Sequence, residues 1–214
     1  MDFTPFLWNT FILLSAYLLG SVPNAVWIGR VFFKTDVRNH GSGNAGSTNT
    51  LRVLGYKAGI PVLLLDILKG FLAVKMIHLT FYYIPETGQY INFQLLLGLA
   101  VIIGHIFPVF ASFRGGKGVA TLIGVILAID PVSMLICLGV FLVTLIITKY
   151  VSLSSMIAGL SFPVLVIVVF NTTTSSLVIF SMIVFVLLLF THQKNIERLV
   201  RNEESKAHFL FRRR

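Results

Sequence analysis

Cysteine and charge are both scarce in this chain. The one cysteine, Cys137, lies in an apolar run, so an internal disulfide and a thiolate metal site are excluded, and we interpret the residue as a packed small hydrophobe. Charged residues make up 12% of the 214 residues and hydrophobic residues make up 56%. This composition is too apolar for a soluble domain, and it predicts a membrane protein with a single domain, residues 1–214.

Acidic residues are also few, with eight Asp and Glu against 17 Lys and Arg. The sequence contains no His/Cys/Glu cluster at metal-ligand spacing, no Gly-x-Ser-x-Gly elbow and no Asp-rich motif for Mg²⁺. We therefore expect no metal and no cofactor. Nucleic-acid binding is not expected either, because no soluble segment interleaves arginines with aromatic residues.

Long apolar segments dominate what is present. A helix needs about 20 apolar residues to cross a bilayer. The pattern predicts an all-α, polytopic integral membrane bundle of about seven transmembrane helices. The predicted spans are Phe6–Ile28, Ala58–Tyr82, Phe93–Phe113, Val119–Ile129, Val132–Thr148, Ser154–Phe170 and Ser176–Phe190. The fourth is too short to cross alone, so a re-entrant fourth and fifth segment, leaving five spans, is the alternative.

Positive charge is distributed on one side of these spans. All of the 17 Lys and Arg except Lys69 and Lys75 fall in segments on the same side, and the positive-inside rule places that side in the cytoplasm. The N-terminus is then outside and the tail, residues 191–214, is cytoplasmic. The basic end of the tail, Phe209–Arg214, is either an anchor at an anionic lipid surface or a frayed end.

Short polar segments join the spans on the cytoplasmic side. They are Gly41–Arg52, Gly104–Thr121, Thr148–Ser155 and Thr191–Leu199. Glycines in the first segment permit positive φ and predict an anion-binding nest followed by a helix; an ordinary flexible turn is the alternative. In the second, three glycines surround Lys117, a combination that suits phosphate. We expect the four segments to gather into one donor-rich pocket.

Individual polar residues keep two interpretations each. Asp66 and Lys69, spaced i, i+3 in the second span, are preferably an ion pair that orients the bundle, and otherwise line a cytoplasmic cavity. His105 is either a packing histidine or a site residue. Ser152 and Ser154 are either helix N-caps or site residues.

The last polar segment places His192 and Asn195 at i, i+3 spacing, which predicts one helical face at the end of the seventh span. His192 also begins a His-x4-Glu string. We do not interpret that string as a catalytic dyad, because helical spacing points the two side chains in different directions.

Five ordered motifs extend over nearly the whole chain. They are Gly-Ser-Gly-Asn-x-Gly-x-Thr-Asn at Gly41–Asn49, Leu-Asp-x-Leu-Lys-Gly at Leu65–Gly70, Gly-His-x-Phe-Pro at Gly104–Pro108, Gly-Gly-Lys-Gly-Val-Ala-Thr at Gly115–Thr121 and His-x-x-Asn-Ile-x-Arg-Leu at His192–Leu199. With these motifs the chain resembles the bacterial membrane acyl-phosphate–glycerol-3-phosphate acyltransferases (the PlsY family). It departs from them at Ala45, a position that is often proline, and at Asn202, where a glycine often precedes the late acidic residue.

The resemblance implies transfer of a fatty acyl group from acyl phosphate to the 1-hydroxyl of glycerol 3-phosphate, which gives lysophosphatidic acid and phosphate. The partners it implies are these two substrates and membrane lipids, in a bacterial inner membrane with the active site on the cytoplasmic side. It also allows other phospholipid-synthesis enzymes as partners. The competing function classes are a transporter for an organic phosphate and a structural scaffold of a lipid-synthesis complex.

The same resemblance implies site residues of two kinds. The expected catalytic residues are Ser42, Lys117, His192 and Asn195. The expected substrate-binding residues are Gly43, Asn44, Gly46, Thr48, Asn49, Arg52, His105, Gly115, Gly116, Gly118, Ser152, Ser155 and Glu204. Because Asn202 replaces the glycine, Glu203 is the alternative to Glu204 as the late acidic residue.

Overall fold

The computed structural model describes residues 4–80 and 82–207, and these residues form ten α-helices and no β-strand. The predicted all-α class is confirmed. The chain divides into two compact units, residues 1–129 and residues 130–214. The predicted basic end of the tail falls on residues 208–214, outside the described residues.

The first unit contains six helices. They are α1 (Thr4–Gly20), α2 (Asn24–Phe33), α3 (Ser47–Leu54), α4 (Tyr56–Lys75), α5 (Gly88–Ile106) and α6 (Val119–Ile129). The first predicted span is not one straight helix, because α1 and α2 are separated at residues 21–23 and bent by 44°. Pro23 has no N–H to continue the helical hydrogen bonds, which explains the break.

Helices α4 and α6 cross at backbone contact. A β-carbon on Gly70 would overlap the carbonyl oxygen of Thr121, and a β-carbon on Gly124 would overlap the carbonyl oxygen of Ile67. Each helix therefore contributes a glycine at the point where the other approaches. This arrangement is typical of membrane helices, which pack through small residues. It fixes the start of α6 against the middle of α4.

The second unit contains four helices. They are α7 (Pro131–Thr148), α8 (Val151–Val164), α9 (Ser175–Thr191) and α10 (Gln193–Val200). Asp130 begins α7 by accepting a hydrogen bond from the backbone N–H of Ser133 at 3.0 Å, the geometry of an N-cap. Helix α8 continues into a π-helical turn, Leu165–Val169, just after the interior Pro163. Helix α10 is bent by 61° from α9.

The apolar helices fit a membrane protein. Within the described residues, three helical stretches are long and apolar enough to cross a membrane: Gly88–Ala111, Pro131–Thr148 and Val151–Val169. The number rises to five if each of the bent pairs α1–α2 and α9–α10 forms one span. Helix α6 has its predicted bounds, but at 1.5 Å per residue its 11 residues reach only about 16 Å. The count of seven spans stays a prediction.

Gly70→Ala is expected to lower the free energy of unfolding by about 1–3 kcal/mol, because the new methyl group pushes α4 away from Thr121. Gly139→Ala in α7 is the matched control, since a β-carbon there meets no atom within 4 Å. Thermal unfolding in detergent measures both. Equal midpoints for the two variants would show that the α4–α6 contact tolerates the added carbon.

Candidate active site

An aspartate–arginine pair holds the loop between α2 and α3. The Asp36 carboxylate accepts hydrogen bonds from the backbone N–H of Arg38 at 3.0 Å and from Nη2 of Arg38 and of Arg30, both at 2.8 Å. These bonds, from Arg38 above all, hold the pKa of Asp36 well below its usual range. Arg38 Nη1 also donates to the carbonyl of Ala111 at 3.0 Å. One arginine therefore ties this loop to the segment between α5 and α6.

Sequence reasoning missed Asp36 and Arg38 as organisers of the site. Arg38 is one of the cations that indicate the cytoplasmic side, and neither Asp36 nor Arg38 falls in any of the five motifs. The Asp-x-Arg spacing was the available signal, because an aspartate that caps a turn can bond the backbone N–H two residues later.

Asn49 organises the first Gly-rich segment. Its side chain is 2% exposed, and its Nδ2 lies within hydrogen-bond distance of the carbonyls of Val37 (2.8 Å), His40 (3.1 Å) and Asn44 (3.0 Å). Its Oδ1 accepts from the backbone N–H of Ser42 at 2.9 Å. Since both ends of the carboxamide bond the loop itself, Asn49 shapes the loop from inside.

Two backbone amides of the predicted nest form hydrogen bonds within the loop. The N–H of Ser42 points to Asn49, and the N–H of Gly43 donates to the carbonyl of His40 at 3.1 Å. Neither is available to an anion while these bonds hold. The expected helix does follow, as α3 from Ser47 to Leu54, and its N-terminus supplies partial positive charge beside the loop.

The second Gly-rich segment folds back on the end of α5. The N–H of Gly115 donates to the carbonyl of Ile106 and the N–H of Gly116 donates to the carbonyl of His105, both at 3.2 Å. These two amides were expected to bind phosphate and instead satisfy the last carbonyls of α5. Gly118 has φ of +82°, and α6 begins at the next residue. Lys117 is half-buried and lies between the hydrogen-bonded Gly116 and the positive-φ Gly118.

His105 is enclosed by protein atoms. It is 6% exposed, and its Nδ1 lies 3.1 Å from Thr121 Oγ1 and 3.7 Å from Asp66 Oδ1. On the other side of the ring, a β-carbon on Gly116 would overlap Nε2. This geometry favours the packing interpretation of His105 over direct substrate contact.

Asp66 and Lys69 form the ion pair that the sequence predicted. Asp66 Oδ1 lies 2.9 Å from Lys69 Nζ and accepts a hydrogen bond from Asn24 Nδ2 at 2.9 Å. Lys69 Nζ also donates to the carbonyls of Gly20 and Val22, both at 3.0 Å, which are the backbone groups freed where α1 ends. Both charged side chains also line a small cavity with Ala45, His105 and Gly116.

In the second unit, Glu204 brings together two residues expected in the site. Its Oε1 accepts hydrogen bonds from Ser152 Oγ and from Asn195 Nδ2, both at 2.7 Å, and its Oε2 lies 3.7 Å from Arg198 Nε. Its side chain is 8% exposed, whereas Glu203 is exposed. Glu204, and not Glu203, is therefore the glutamate that packs into this cluster.

Asn202 explains how Glu204 reaches that position. Its φ is +58°, in the left-handed region, and the N–H of Glu203 donates to the carbonyl of Arg198 at 2.8 Å. This is the Schellman arrangement that commonly ends a helix with glycine. Asparagine is the non-glycine residue that adopts the left-handed conformation most readily, so the departure at Asn202 preserves the turn.

The N-cap interpretation of two serines is wrong. Helix α8 begins at Val151 with Tyr150 at the cap position, and the hydroxyl of Ser154 donates back to the carbonyl of Tyr150 at 2.7 Å. Ser155, an expected substrate-binding residue, donates in the same way to the carbonyl of Val151 at 2.8 Å. Of these three serines, Ser152 directs its hydroxyl out of the helix, to Glu204.

His192 lies at the break between α9 and α10, so His192 and Asn195 do not share one continuous helical face as predicted. His192 is 2% exposed, and its Nδ1 lies 2.8 Å from the carbonyl of Leu188. A carbonyl can only accept, so Nδ1 carries a proton in this contact; when the ring is neutral, the lone pair is therefore on Nε2.

The structure distributes the expected residues over its two units. The first unit contains Ser42, Gly43, Asn44 and Gly46 in one loop, Thr48, Asn49 and Arg52 on α3, His105 at the end of α5, and Gly115, Gly116, Lys117 and Gly118 before α6. The second unit contains Ser152 and Ser155 on α8, His192, Asn195 on α10, and Glu204 after it. A single pocket built from all four segments stays a prediction.

A family model described as glycerol-3-phosphate acyltransferase matches residues 10–202. The chain belongs to the glycerol-3-phosphate acyltransferase family. The family expected from the five motifs is thereby confirmed.

Relatives in this family match along almost their whole length. The glycerol-3-phosphate acyltransferase of Staphylococcus carnosus is 44% identical, with 93% of this chain and 98% of the relative covered. That of Thermoanaerobacter pseudethanolicus is also 44% identical, over 89% of this chain and 91% of the relative.

Two crystal structures of PlsY (YgiH), an integral membrane glycerol 3-phosphate acyltransferase, share the fold. The glycerol 3-phosphate form is 33% identical with a TM-score of 0.81, and the lysophosphatidic acid form is 34% identical with a TM-score of 0.80. Each comparison covers 95% of this chain and 99% of the solved one.

Asn49→Asp is expected to lower the free energy of unfolding by about 3 kcal/mol, because it points a carboxylate oxygen at three backbone carbonyls. The loop of residues 40–46 should then exchange its amide hydrogens faster, as measured by mass spectrometry. Asn39→Asp is the control, since it makes the same chemical change at an exposed neighbouring position. Equal exchange in the two variants would contradict the organising role of Asn49.

Proposed function

We propose that this protein transfers a fatty acyl group from acyl phosphate to the sn-1 hydroxyl of glycerol 3-phosphate, releasing lysophosphatidic acid and phosphate. The observation that carries the proposal is the match, over 95% of the chain, to solved structures described in glycerol 3-phosphate and lysophosphatidic acid forms. The acyl-phosphate donor and the sn-1 position follow from the resemblance of the five motifs.

The chemistry of the first unit suits two phosphorylated substrates. Lys117 and Arg52 supply positive charge, and the helices that begin at Ser47 and Val119 add partial positive charge from their N-termini. Because the amides of Ser42, Gly43, Gly115 and Gly116 bond within the protein, we assign phosphate contact to the Ser42 hydroxyl, Lys117 and Arg52. The glycine turns then serve to place these groups.

Acyl phosphate is an activated mixed anhydride, so the reaction needs little covalent participation by the protein. The glycerol hydroxyl oxygen attacks the acyl carbon, a new ester bond forms, and the bond between that carbon and the phosphate oxygen breaks. Positioning of the two substrates and stabilisation of negative charge on the carbonyl oxygen supply the rate enhancement. Lys117 is the side chain we assign to that charge.

The proton of the attacking hydroxyl goes either to His192 Nε2 or to the departing phosphate. The contact of His192 Nδ1 with the Leu188 carbonyl supports the first route, because it leaves the Nε2 lone pair as an acceptor. Asn195, held by Glu204, is assigned to orienting the hydroxyl.

The proposed location is a bacterial inner membrane, with the N-terminus outside and the substrate loops in the cytoplasm. The one-sided distribution of Lys and Arg supports this orientation. A cytoplasmic site also suits the substrates, since glycerol 3-phosphate is a soluble anion and acyl phosphate carries an alkyl chain that partitions into lipid.

Incubation of the purified protein with acyl phosphate and glycerol 3-phosphate, without acyl-CoA or acyl carrier protein, is expected to yield lysophosphatidic acid and phosphate. Lys117→Ala should reduce turnover by about 10³-fold or more, because it removes the charge assigned to stabilising the carbonyl oxygen, while the protein stays folded. Lys57→Ala, at an exposed position on α4, is the matched control. Uptake of an organic phosphate into vesicles without product formation would instead identify a transporter.

His192→Gln and His192→Ala separate the two proton routes. If His192 is the base, both variants lose about 10²-fold in kcat, because neither side chain accepts a proton at neutral pH. Steady-state assays at saturating substrates measure the loss. A loss of less than tenfold in both variants would assign the proton to the leaving phosphate.

A further inference from the structure

We propose that Thr121, His105 and Asp66 form a positioning network that sets the Gly115–Gly118 turn, and with it Lys117, without touching substrate. The catalytic importance of Lys117 rests on the proposed function. The network itself rests on the geometry of the three side chains.

His105 contacts the turn in two independent ways. Its backbone carbonyl accepts from the N–H of Gly116 at 3.2 Å, and its ring packs so closely on the same glycine that a β-carbon would overlap Nε2. The residue immediately before Lys117 is therefore held by both the main chain and the side chain of His105. Rotation of the ring would leave a gap beside Gly116, and the turn could then move.

Thr121 and Asp66 fix that ring from the opposite edge. Nδ1 of His105 lies 3.1 Å from Thr121 Oγ1 and 3.7 Å from Asp66 Oδ1. Thr121 is completely buried and Asp66 is 1% exposed, so neither contact is open to bulk solvent. A buried ring nitrogen that loses its partner is costly, and this cost is what keeps the ring in one orientation.

Helix α4 provides the fixed frame for this network. Asp66 and Gly70 are four residues apart on α4, and Gly70 packs against the carbonyl of Thr121. Asp66 is in turn held by Lys69 at 2.9 Å and by Asn24 at 2.9 Å. Lys117 thus lies between Gly116 and Thr121, which is in the first turn of α6. Both of these residues are held in place by contacts that lead back to α4.

Fixing the backbone on both sides of Lys117 matters because lysine carries its charge at the end of a flexible four-carbon side chain. The protein can direct the ammonium only by fixing the backbone from which the stem leaves. A displacement of about 1 Å in a positioning group can cost about 10²-fold in rate. The network is the part of the described structure that fixes this backbone from the side of α4.

Thr121→Val and Thr121→Ser test the network as a matched pair. Valine keeps the shape of threonine and removes the hydroxyl, whereas serine keeps the hydroxyl and removes a methyl group. We expect Thr121→Val to lose about tenfold in kcat/KM and Thr121→Ser to stay within about threefold of the parent, with both assayed well below their melting temperatures. Equal losses in the two variants, or a lower melting temperature with unchanged kcat and KM, would assign Thr121 to packing alone and overturn the proposal.

A double-variant cycle tests whether Thr121 acts through His105. In a His105→Ala background, Thr121→Val should cause no further loss in kcat/KM, because the group that it positions is gone. Losses that multiply would show that the two residues act independently, which contradicts the network.

Hydrogen exchange over residues 114–118 gives a readout that does not depend on turnover. Thr121→Val should raise exchange in this turn by about tenfold relative to the parent and to Thr121→Ser, because the turn loses its support. Unchanged exchange overturns the network even if the protein is active. Raised exchange in a protein that forms no lysophosphatidic acid supports the network and rejects the proposed function.

Discussion

The constraint on which the first unit depends is that charge inside an apolar bundle must be matched. Asp66 and Lys69 bring opposite charges into α4, and each is also bound by groups from the α1–α2 break. Lys69 supplies the donors that the carbonyls of Gly20 and Val22 lose where the helix stops. The pair thereby satisfies the backbone groups left unbonded at the α1–α2 break, which lowers the cost of breaking a helix inside an apolar bundle. Removing either partner would leave a buried charge without its match, which is the costly case.

Both polar clusters are organised by side chains that the sequence suggested as substrate ligands. Asn49 uses both ends of its carboxamide on the loop around it, and Glu204 uses one oxygen to hold Ser152 and Asn195. A polar residue in a conspicuous motif can thus serve the shape of a loop or cluster and need not contact substrate. At Asn49 this role follows from the need of a glycine-rich loop for internal hydrogen bonds in place of a regular backbone pattern.

The sequence predicted the helices better than the loops. Apolar length and helix boundaries follow from local patterns, which is why α6 was predicted with its observed bounds and the Asp66–Lys69 pair from i, i+3 spacing. The direction of a backbone amide in a loop depends on partners distant in sequence. The amides of Gly115 and Gly116 turn back to α5, and no periodicity signals that. The contact between Ser152 and Glu204, 52 residues apart, was likewise beyond local reasoning.

That last contact has a consequence for biogenesis. The N–H of Ala207 donates to the carbonyl of Lys149 at 2.8 Å, and Glu204 bonds Ser152, so the segment after α10 closes onto the start of α8. Helices enter the bilayer as the ribosome makes them, in chain order. A nascent chain that has already inserted α8 and α9 still lacks the carboxylate that completes their polar surroundings. Each newly made copy therefore passes through an interval in which the Ser152 hydroxyl lacks its carboxylate partner, and that interval ends only after residue 204 has been made.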